Sequence, residues 1–160
     1  MVWQQPEIKH GVPTKWLWTI WHPENFTLGK NTDIGAGTHI FCQCGVEIQD
    51  DVQIGGGCFI YSKSTIDNKQ GKVTIKKGAR VGACSVLMPG ITIGENATVG
   101  ACSFVIRSIP DGEIWFGTPA KRGEYVRPDR QDVLDCRGIW IDRARGNETI
   151  PTVRCLRQEY

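Results

Sequence analysis

The sequence predicts an all-β chain: a parallel β-helix of hexapeptide repeats, about four to five triangular coils, with an N-terminal cap and an irregular or short-helical C-terminal tail. Three observations predict it. An aliphatic residue returns every sixth position, at Leu28, Ile34, Ile40 and Val46, then at Ile48, Ile54, Ile60 and Ile66, and again at Ile75, Val81, Leu87, Ile93, Val99 and Val105. A period of six belongs to neither an α-helix nor an ordinary strand, so it marks an internal repeat. Two residues before most of these aliphatics stands a second, usually small residue: Thr32, Thr38, Cys44, Cys58, Ser64, Ala79, Ser85, Ala97 and Ser103. A small-x-aliphatic triplet turns its outer two side chains inward and the middle one outward, as a short strand does. Glycine follows the aliphatic at positions 29, 35, 82, 94 and 100, where the chain turns a corner and a Cβ is costly.

The elements follow in order. Residues 1–25 hold Trp3, Trp16, Trp18 and Trp21 among two of the prolines. Such a segment is expected to cap the open end of the stack, because a solenoid must hide its terminal edge. Residues 26–123 form the helix proper, with three triplets and three turns making a coil of about eighteen residues and coils stacking at roughly 4.8 Å. The period breaks twice, by a two-residue slip between Val46 and Ile48 and by a three-residue insertion between Ile66 and Ile75. An insertion in a solenoid bulges from one face, often the binding face. Residues 124–160 form a C-terminal extension. A short helix is expected over Pro128–Cys136, with Pro128 in its first turn and Asp129 and Asp132 near its N-terminus. A strand is expected over Gly138–Ile141.

Composition narrows the function classes. The 160 residues carry 19 Lys and Arg against 17 Asp and Glu, net +2, with no basic stripe, which argues against nucleic acid as a partner. No run approaches the ~18 apolar residues of a membrane span. Met1–Trp21 is broken by Pro6, Lys9, Gly11, Pro13 and Lys15, unlike a signal peptide, so the expected location is cytoplasmic. Seven cysteines are an odd number for a disulfide framework and read as free thiols. Cys84 and Cys102 are eighteen apart with no break between them, so they stack on adjacent coils at a turn. That spacing permits a disulfide or half a metal site, and two free thiols are the expectation in a reducing compartment. No metal site is expected.

The strings Val81-Gly82-Ala83-Cys84-Ser85-Val86-Leu87 and Ile93-Gly94-Glu95-Asn96-Ala97-Thr98-Val99-Gly100-Ala101 resemble those of the hexapeptide-repeat acyltransferases. So does Ile109-Pro110-Asp111-Gly112 followed by Gly117-Thr118-Pro119-Ala120-Lys121. The resemblance covers about residues 26–123. It implies a left-handed parallel β-helix, against the usual right-handed crossover rule, assembled as a homotrimer with acetyl-CoA between neighbouring subunits. Within the family the slip and insertion resemble those of serine and sugar acetyltransferases. On that similarity the Ala83 and Ala101 turns line the pantetheine channel, while Lys121 and Arg122 meet the CoA phosphates, to which an ammonium and a guanidinium are suited.

The chemistry implied is acetyl transfer from acetyl-CoA to a hydroxyl or amine of a sugar or nucleotide-linked sugar, as in surface polysaccharide assembly. Transfer to a hydroxyl needs a base, usually histidine. The chain has His10, His22 and His39. The family's usual histidine positions fall instead on Cys42 and Gly57. His39, between Thr38 and Ile40, is the candidate base, expected outward at a corner, and His22 is conceivable as a partner across a subunit interface. A neutral amine acceptor would remove the need for a base, leaving the site to position it and stabilise the oxyanion. Lys63, outward in Ile60–Ser64, is then the candidate contact for a nucleotide phosphate. The alternative is a catalytically degenerate trimer acting in binding or structure. A zinc hydratase on the same fold needs a histidine trio that is not recognisable here.

Overall fold

The structure, a computed structural model, describes residues 3–123 and the backbone of 132–134, 140–142 and 147–148. It comprises two units, Met1–Glu124 and Tyr125–Tyr160. Among the described residues no helix is long and apolar enough to cross a membrane.

The first unit is a parallel β-helix of five coils. Coil one holds β1 (Thr19–Trp21), β2 (Phe26–Leu28) and β3 (Asp33–Ile34); coil two holds β4 (His39–Phe41), β5 (Val46–Ile48) and β6 (Gln53–Ile54). Coil three holds β7 (Phe59–Tyr61), β8 (Val73–Ile75) and β9 (Arg80–Val81); coil four holds β10 (Val86–Leu87), β11 (Thr92–Ile93) and β12 (Thr98–Val99). Coil five has β13 (Phe104–Val105), a single bridge from Ile109 to Ile93, and β14 (Ile114–Phe116). The closing strand β15 (Lys121–Arg122) turns back antiparallel on β14. Three sheets result, ordered β1-β4-β7-β10-β13, β2-β5-β8-β11 and β3-β6-β9-β12-β14-β15.

Register puts like on like. Ile20, Ile40, Ile60, Leu87 and Val105 stack inside the first sheet, and Ile48, Ile75 and Ile93 inside the second. All eight are at most 1% exposed. Each such side chain contributes about 1.5–3 kcal/mol on leaving water. The small inward positions have a different task. Thr38 Oγ1 donates to the Gly55 carbonyl (3.0 Å), Cys58 Sγ to that of Gly82 (3.3 Å) and Ser85 Oγ to that of Gly100 (3.0 Å). Corner carbonyls that leave the ladder are thereby satisfied without water. Close stacking also demands glycine at the corner: a Cβ on Gly82 would collide with the backbone of Gly100 and Ala101.

The irregularities share one corner, between the first and second sheets. The spacing across it is eight residues in Ile20–Leu28 and Ile40–Ile48, fifteen in Ile60–Ile75 and six in Leu87–Ile93. The fifteen-residue passage corrects the sequence reading at Ile66, which is not an inward hexad position but 96% exposed. Ser62 keeps the inward place, and the chain leaves as a hairpin bridged at Lys63 and Gln70, with Ser64 N bonded to Lys69 O (2.8 Å) and Asn68 at φ 55°. The insertion thus begins directly after Ser62, and Ser64 belongs to the hairpin. Cys44 likewise yields the inward place to fully buried Cys42, because the corner Cys42–Gly45 carries two extra residues.

Pairing also carries the first coil back to Thr19, so Trp21 is a strand residue rather than part of the cap. The segment before it guards the free edge of β1. His10 bridges Ile20, Gly11 N donates to Ile20 O (2.7 Å), and Thr14 N to Trp18 O (2.9 Å). Trp18 is buried, whereas Trp16 stays 40% exposed.

The second unit contains an antiparallel sheet of β16 (Asp132–Leu134), β17 (Trp140–Asp142) and β18 (Asn147–Glu148), in that order. The helix expected over Pro128–Cys136 is corrected at Asp132–Leu134, where pairing of Val133 with Ile141 supplies the backbone bonds that a helix would have supplied locally. The rest of that stretch lies outside the described residues. The strand expected over Gly138–Ile141 is found at Trp140–Asp142.

Candidate functional site

The corner between the third and first sheets is built from three-residue turns. They are Gly35-Ala36-Gly37, Gly55-Gly56-Gly57, Gly82-Ala83-Cys84 and Gly100-Ala101-Cys102. Gly57 N donates to Ala36 O (3.0 Å), Cys84 N to Gly56 O (2.9 Å) and Cys102 N to Ala83 O (2.8 Å), which lines the four turns up in one ridge. The third residue of each turn is left-handed, with φ 73°, 69°, 58° and 57° for Gly37, Gly57, Cys84 and Cys102. Ala83 and Ala101 are exposed. With no side chain larger than Cys on the ridge, a ligand can lie directly against backbone groups.

The ridge ends under the closing segment. Gly117 (φ 99°) and the cis Thr118–Pro119 bond lead over coil five, where Ala120 N donates to Phe104 O (2.8 Å). Thr118 Oγ1 donates to Cys102 O (3.4 Å), tying the segment to the last turn of the ridge. In β15 Lys121 pairs with Phe116 and Arg122 with Trp115; both basic side chains are exposed, and Arg122 Nε lies 3.4 Å from Glu113 Oε1. Of the residues expected to bind CoA, Ala83 and Ala101 lie on the ridge and Lys121 beside its C-terminal end, while Arg122 lies farther back along the third sheet, turned to Glu113. The sequence reading missed Phe116 there: 47% exposed, it fills the space a side chain would need at Gly100 and Gly123.

Beyond the ridge runs the outer surface of the first sheet, and it is aromatic. Trp21, Phe41 and Tyr61 stack in a column, with centroids 4.5 and 4.8 Å apart and ring planes within 11° and 6°. Beside them, in the row next to the ridge, His39 stands between Trp21 (5.3 Å) and Phe59 (5.2 Å). Val86 and Phe104 continue that row. The other two sheets show Thr27, Glu47 and Thr74, and Asp33, Gln53 and Arg80, at the matching places.

His39 points outward, from within strand β4 rather than at a corner, and is half-buried. Its Nδ1 is buried without a hydrogen-bond partner among the described residues. Lys63 lies on the far side of the first sheet, at the foot of the hairpin, so one subunit does not bring it to the ridge. His22 occupies that same side. Held left-handed at φ 62°, it places Nδ1 3.1 Å from Glu24 Oε1, and its backbone N donates to His10 Nδ1 (3.1 Å). The sequence reading did not foresee the His22–Glu24 pairing, though the two residues are only two apart. Cys42 is sealed in the core, where burial, aided by Glu24, pushes its thiol up to about 12. It offers neither a base nor a nucleophile. Among the described residues, no group of three or more His, Cys, Asp or Glu gathers as a metal would require.

Comparison with known proteins agrees with this fold. Residues 72–107 match the bacterial transferase hexapeptide (six repeats) model, and residues 26–62 match the hexapeptide repeat of succinyl-transferase. A search of curated proteins finds no match. Among solved structures, the chain is similar to AntD, an N-acyltransferase from Bacillus cereus, in a mutant complexed with dTDP and coenzyme A. Identity is 25% and TM-score 0.56, over 72% of this chain and 81% of that one. A hexapeptide-repeat-containing acetyltransferase from Vibrio cholerae shares the fold at 23% identity and TM-score 0.63, over 69% of this chain and 68% of that one. A serine acetyltransferase complexed with cysteine shares it at 22% identity and TM-score 0.58, over 67% of this chain; the match spans 40% of that enzyme's length.

Proposed function

We propose that this chain, a member of the hexapeptide-repeat acyltransferase family, transfers an acetyl group from acetyl-CoA to an amine or hydroxyl of a sugar or nucleotide-linked sugar. The observation that carries the reading is the bare ridge through Ala83 and Ala101, which ends near Lys121 and borders the row that holds His39. The thioester arm would lie along the ridge, its amides facing backbone groups. Lys121 and Arg122 would meet the phosphates as a point charge and a fork. The likeness to AntD supports an amine on a nucleotide-linked sugar as the leading acceptor.

In the reaction the acceptor nitrogen or oxygen attacks the thioester carbonyl, a C–N or C–O bond forms, and the C–S bond breaks to release CoA thiolate. The acceptor's proton would leave on His39 through Nε2, since Nδ1 is sealed from an incoming acceptor, and return to the thiolate. Across the first sheet, Lys63 would contact the acceptor's phosphate from a neighbouring subunit. The aromatic outer surface of that sheet supports a homotrimer, because soluble monomers rarely expose so continuous an apolar face. A cytoplasmic site of action suits the free cysteines.

The test is mass detection of acetylated product from acetyl-CoA and a panel of amino and hydroxy nucleotide sugars. Activity is expected on at least one amine. His39→Ala is expected to lower kcat about 10²–10⁴-fold on hydroxyl acceptors, the range for losing a positioned base. Failure of millimolar acetyl-CoA to raise the melting temperature would sink the reading. The second reading, a degenerate binding or structural trimer, is favoured by Cys42, which stands inert at one of the family's usual histidine positions.

A further inference from the structure

The ridge carries two groups that acyl transfer does not use. Cys84 and Cys102 are exposed, although a free cysteine ordinarily packs away as a small hydrophobe. Both adopt the left-handed backbone that glycine adopts at the same place in the two preceding turns. A side chain other than Gly, Asn or Asp costs about 1 kcal/mol or more there. Elsewhere in the coils Asn31, Asp51 and Asn96 hold the left-handed corner positions, so the two thiols break the chain's own habit at adjacent levels of one corner.

Their register is tight. Val86 pairs with Phe104 directly after the two turns, and Cys102 N bonds to Ala83 O at 2.8 Å. Coils stack at roughly 4.8 Å, inside the ~4.4–6.8 Å separation of Cα atoms that a disulfide spans. Cys84 Sγ leans toward the coil before it, 3.4 Å from where a Cβ on Gly57 would stand. One coil on, the residue stacked next to Cys102 is Cys84, which carries a Cβ and a thiol where Gly57 has none. The buried Cys42 and Cys58 do not compete, since burial raises both thiols. Cys44 is half-buried and donates to Gln70 Oε1 (3.8 Å).

We propose that Cys84 and Cys102 form a vicinal dithiol that low-molecular-weight disulfides convert into a bridge between coils, closing the ridge to its acyl donor. The closing step rests on the reading of the ridge as the CoA site. The chemistry is thiol–disulfide exchange. The Cys84 thiolate attacks one sulfur of RS–SR, forming Cys84–S–SR and releasing RS⁻. The Cys102 thiolate then attacks Cys84 Sγ, forming the bridge and releasing the second RS⁻. Two protein thiols are oxidised, one small disulfide is reduced to two thiols, and the two protons shed by the cysteines end on those products. CoA disulfide is the preferred oxidant, because its pantetheine arm would follow the ridge.

The full-length chain is treated separately with CoA disulfide and glutathione disulfide, and peptides are mapped after alkylation with iodoacetamide. The expected result is paired loss of alkylation at Cys84 and Cys102, a Cys84–Cys102 cross-linked peptide, and recovery of both thiols with dithiothreitol. In Cys102→Ser the reaction should stop at a mixed disulfide on Cys84. Loss of the acetyl-CoA thermal shift on oxidation, regained on reduction, is the expected functional readout. Both thiols staying alkylatable after either oxidant, or a bridge to any other cysteine, overturns the proposal. A bridge formed equally fast by both oxidants, without effect on acetyl-CoA binding, leaves the dithiol standing and overturns the ridge as CoA site.

Discussion

Among the described residues, burial separates two pairs of cysteines of different chemical kind. Cys42 and Cys58 are fully buried with raised thiols, while Cys84 and Cys102 are exposed. With its thiol pushed up to about 12, Cys42 carries almost no thiolate at pH 8. A buried thiol whose folded value is raised stays neutral until the pH passes that value. Native-state alkylation at pH 8 is therefore expected to label Cys84 and Cys102 and leave Cys42 untouched until denaturant is added, as peptide mass mapping would read. Ile75 stands for the core: fully buried between Ile48 and Ile93, it should cost about 2–5 kcal/mol on truncation to Ala, the range for a large-to-small change leaving a cavity. Chemical denaturation measures that loss. Periodicity identified Ile75 as inward. It misread Ile66, because six-residue counting continues through a segment that has already left the ladder.

Two elements have distinct sensitivities. At the third corner, the collision awaiting a Cβ on Gly82 lies with neighbouring backbone, which cannot rotate away. Gly82→Val is expected to destabilise by about 1–3 kcal/mol as an overpacked site, whereas Ile66→Ser, on the exposed hairpin, should leave the melting temperature unchanged. Thermal denaturation of the two variants decides between them. The end of the hairpin insertion is held by an ion pair of Lys72 with Glu47, whose carboxyl is lowered below its usual 4.5 by that hydrogen bond and by Gln49. A carboxyl lowered on folding stabilises above its unfolded pKa and loses that contribution as the pH falls through its folded value. The pair is half open to water, so it is worth at most about 1 kcal/mol. Limited trypsin digestion should accordingly cut at Lys63 and Lys69 faster below pH 4.5 than at pH 7, once the protease's own pH profile is divided out. Equal relative rates would count against the pair as a clasp.

At the scale of the molecule, the asymmetry among the three outer faces is the main feature. The first sheet shows Trp21, His39, Phe41, Phe59 and Tyr61 where the other two show threonines and charges. If that surface joins subunits, Tyr61→Asp should yield a folded monomer, seen by light scattering beside unchanged circular dichroism. A monomeric parent chain would refute the assembly. The cluster His10, His22 and Glu24 borders the same sheet from the hairpin side, which in an oligomer is where a neighbour's ridge would need to lie for a shared site.

Much of this organisation was legible in one dimension. Small-x-aliphatic triplets at a six-residue spacing determined a coil of short strands, because alternation within a strand and glycine at a corner are local properties of the chain. The Gly117–Lys121 string marked the end of the ridge for the same reason. What only the tertiary structure decided were the things that depend on pairing between coils. Both breaks in the period fall at a single corner because extra residues are accommodated where no ladder bonds are lost. Ile66 is solvent-exposed because Ser62 and Val73, not Ile66, continue the inward columns. The outward residues of three coils become an aromatic column only when register stacks one coil on the next.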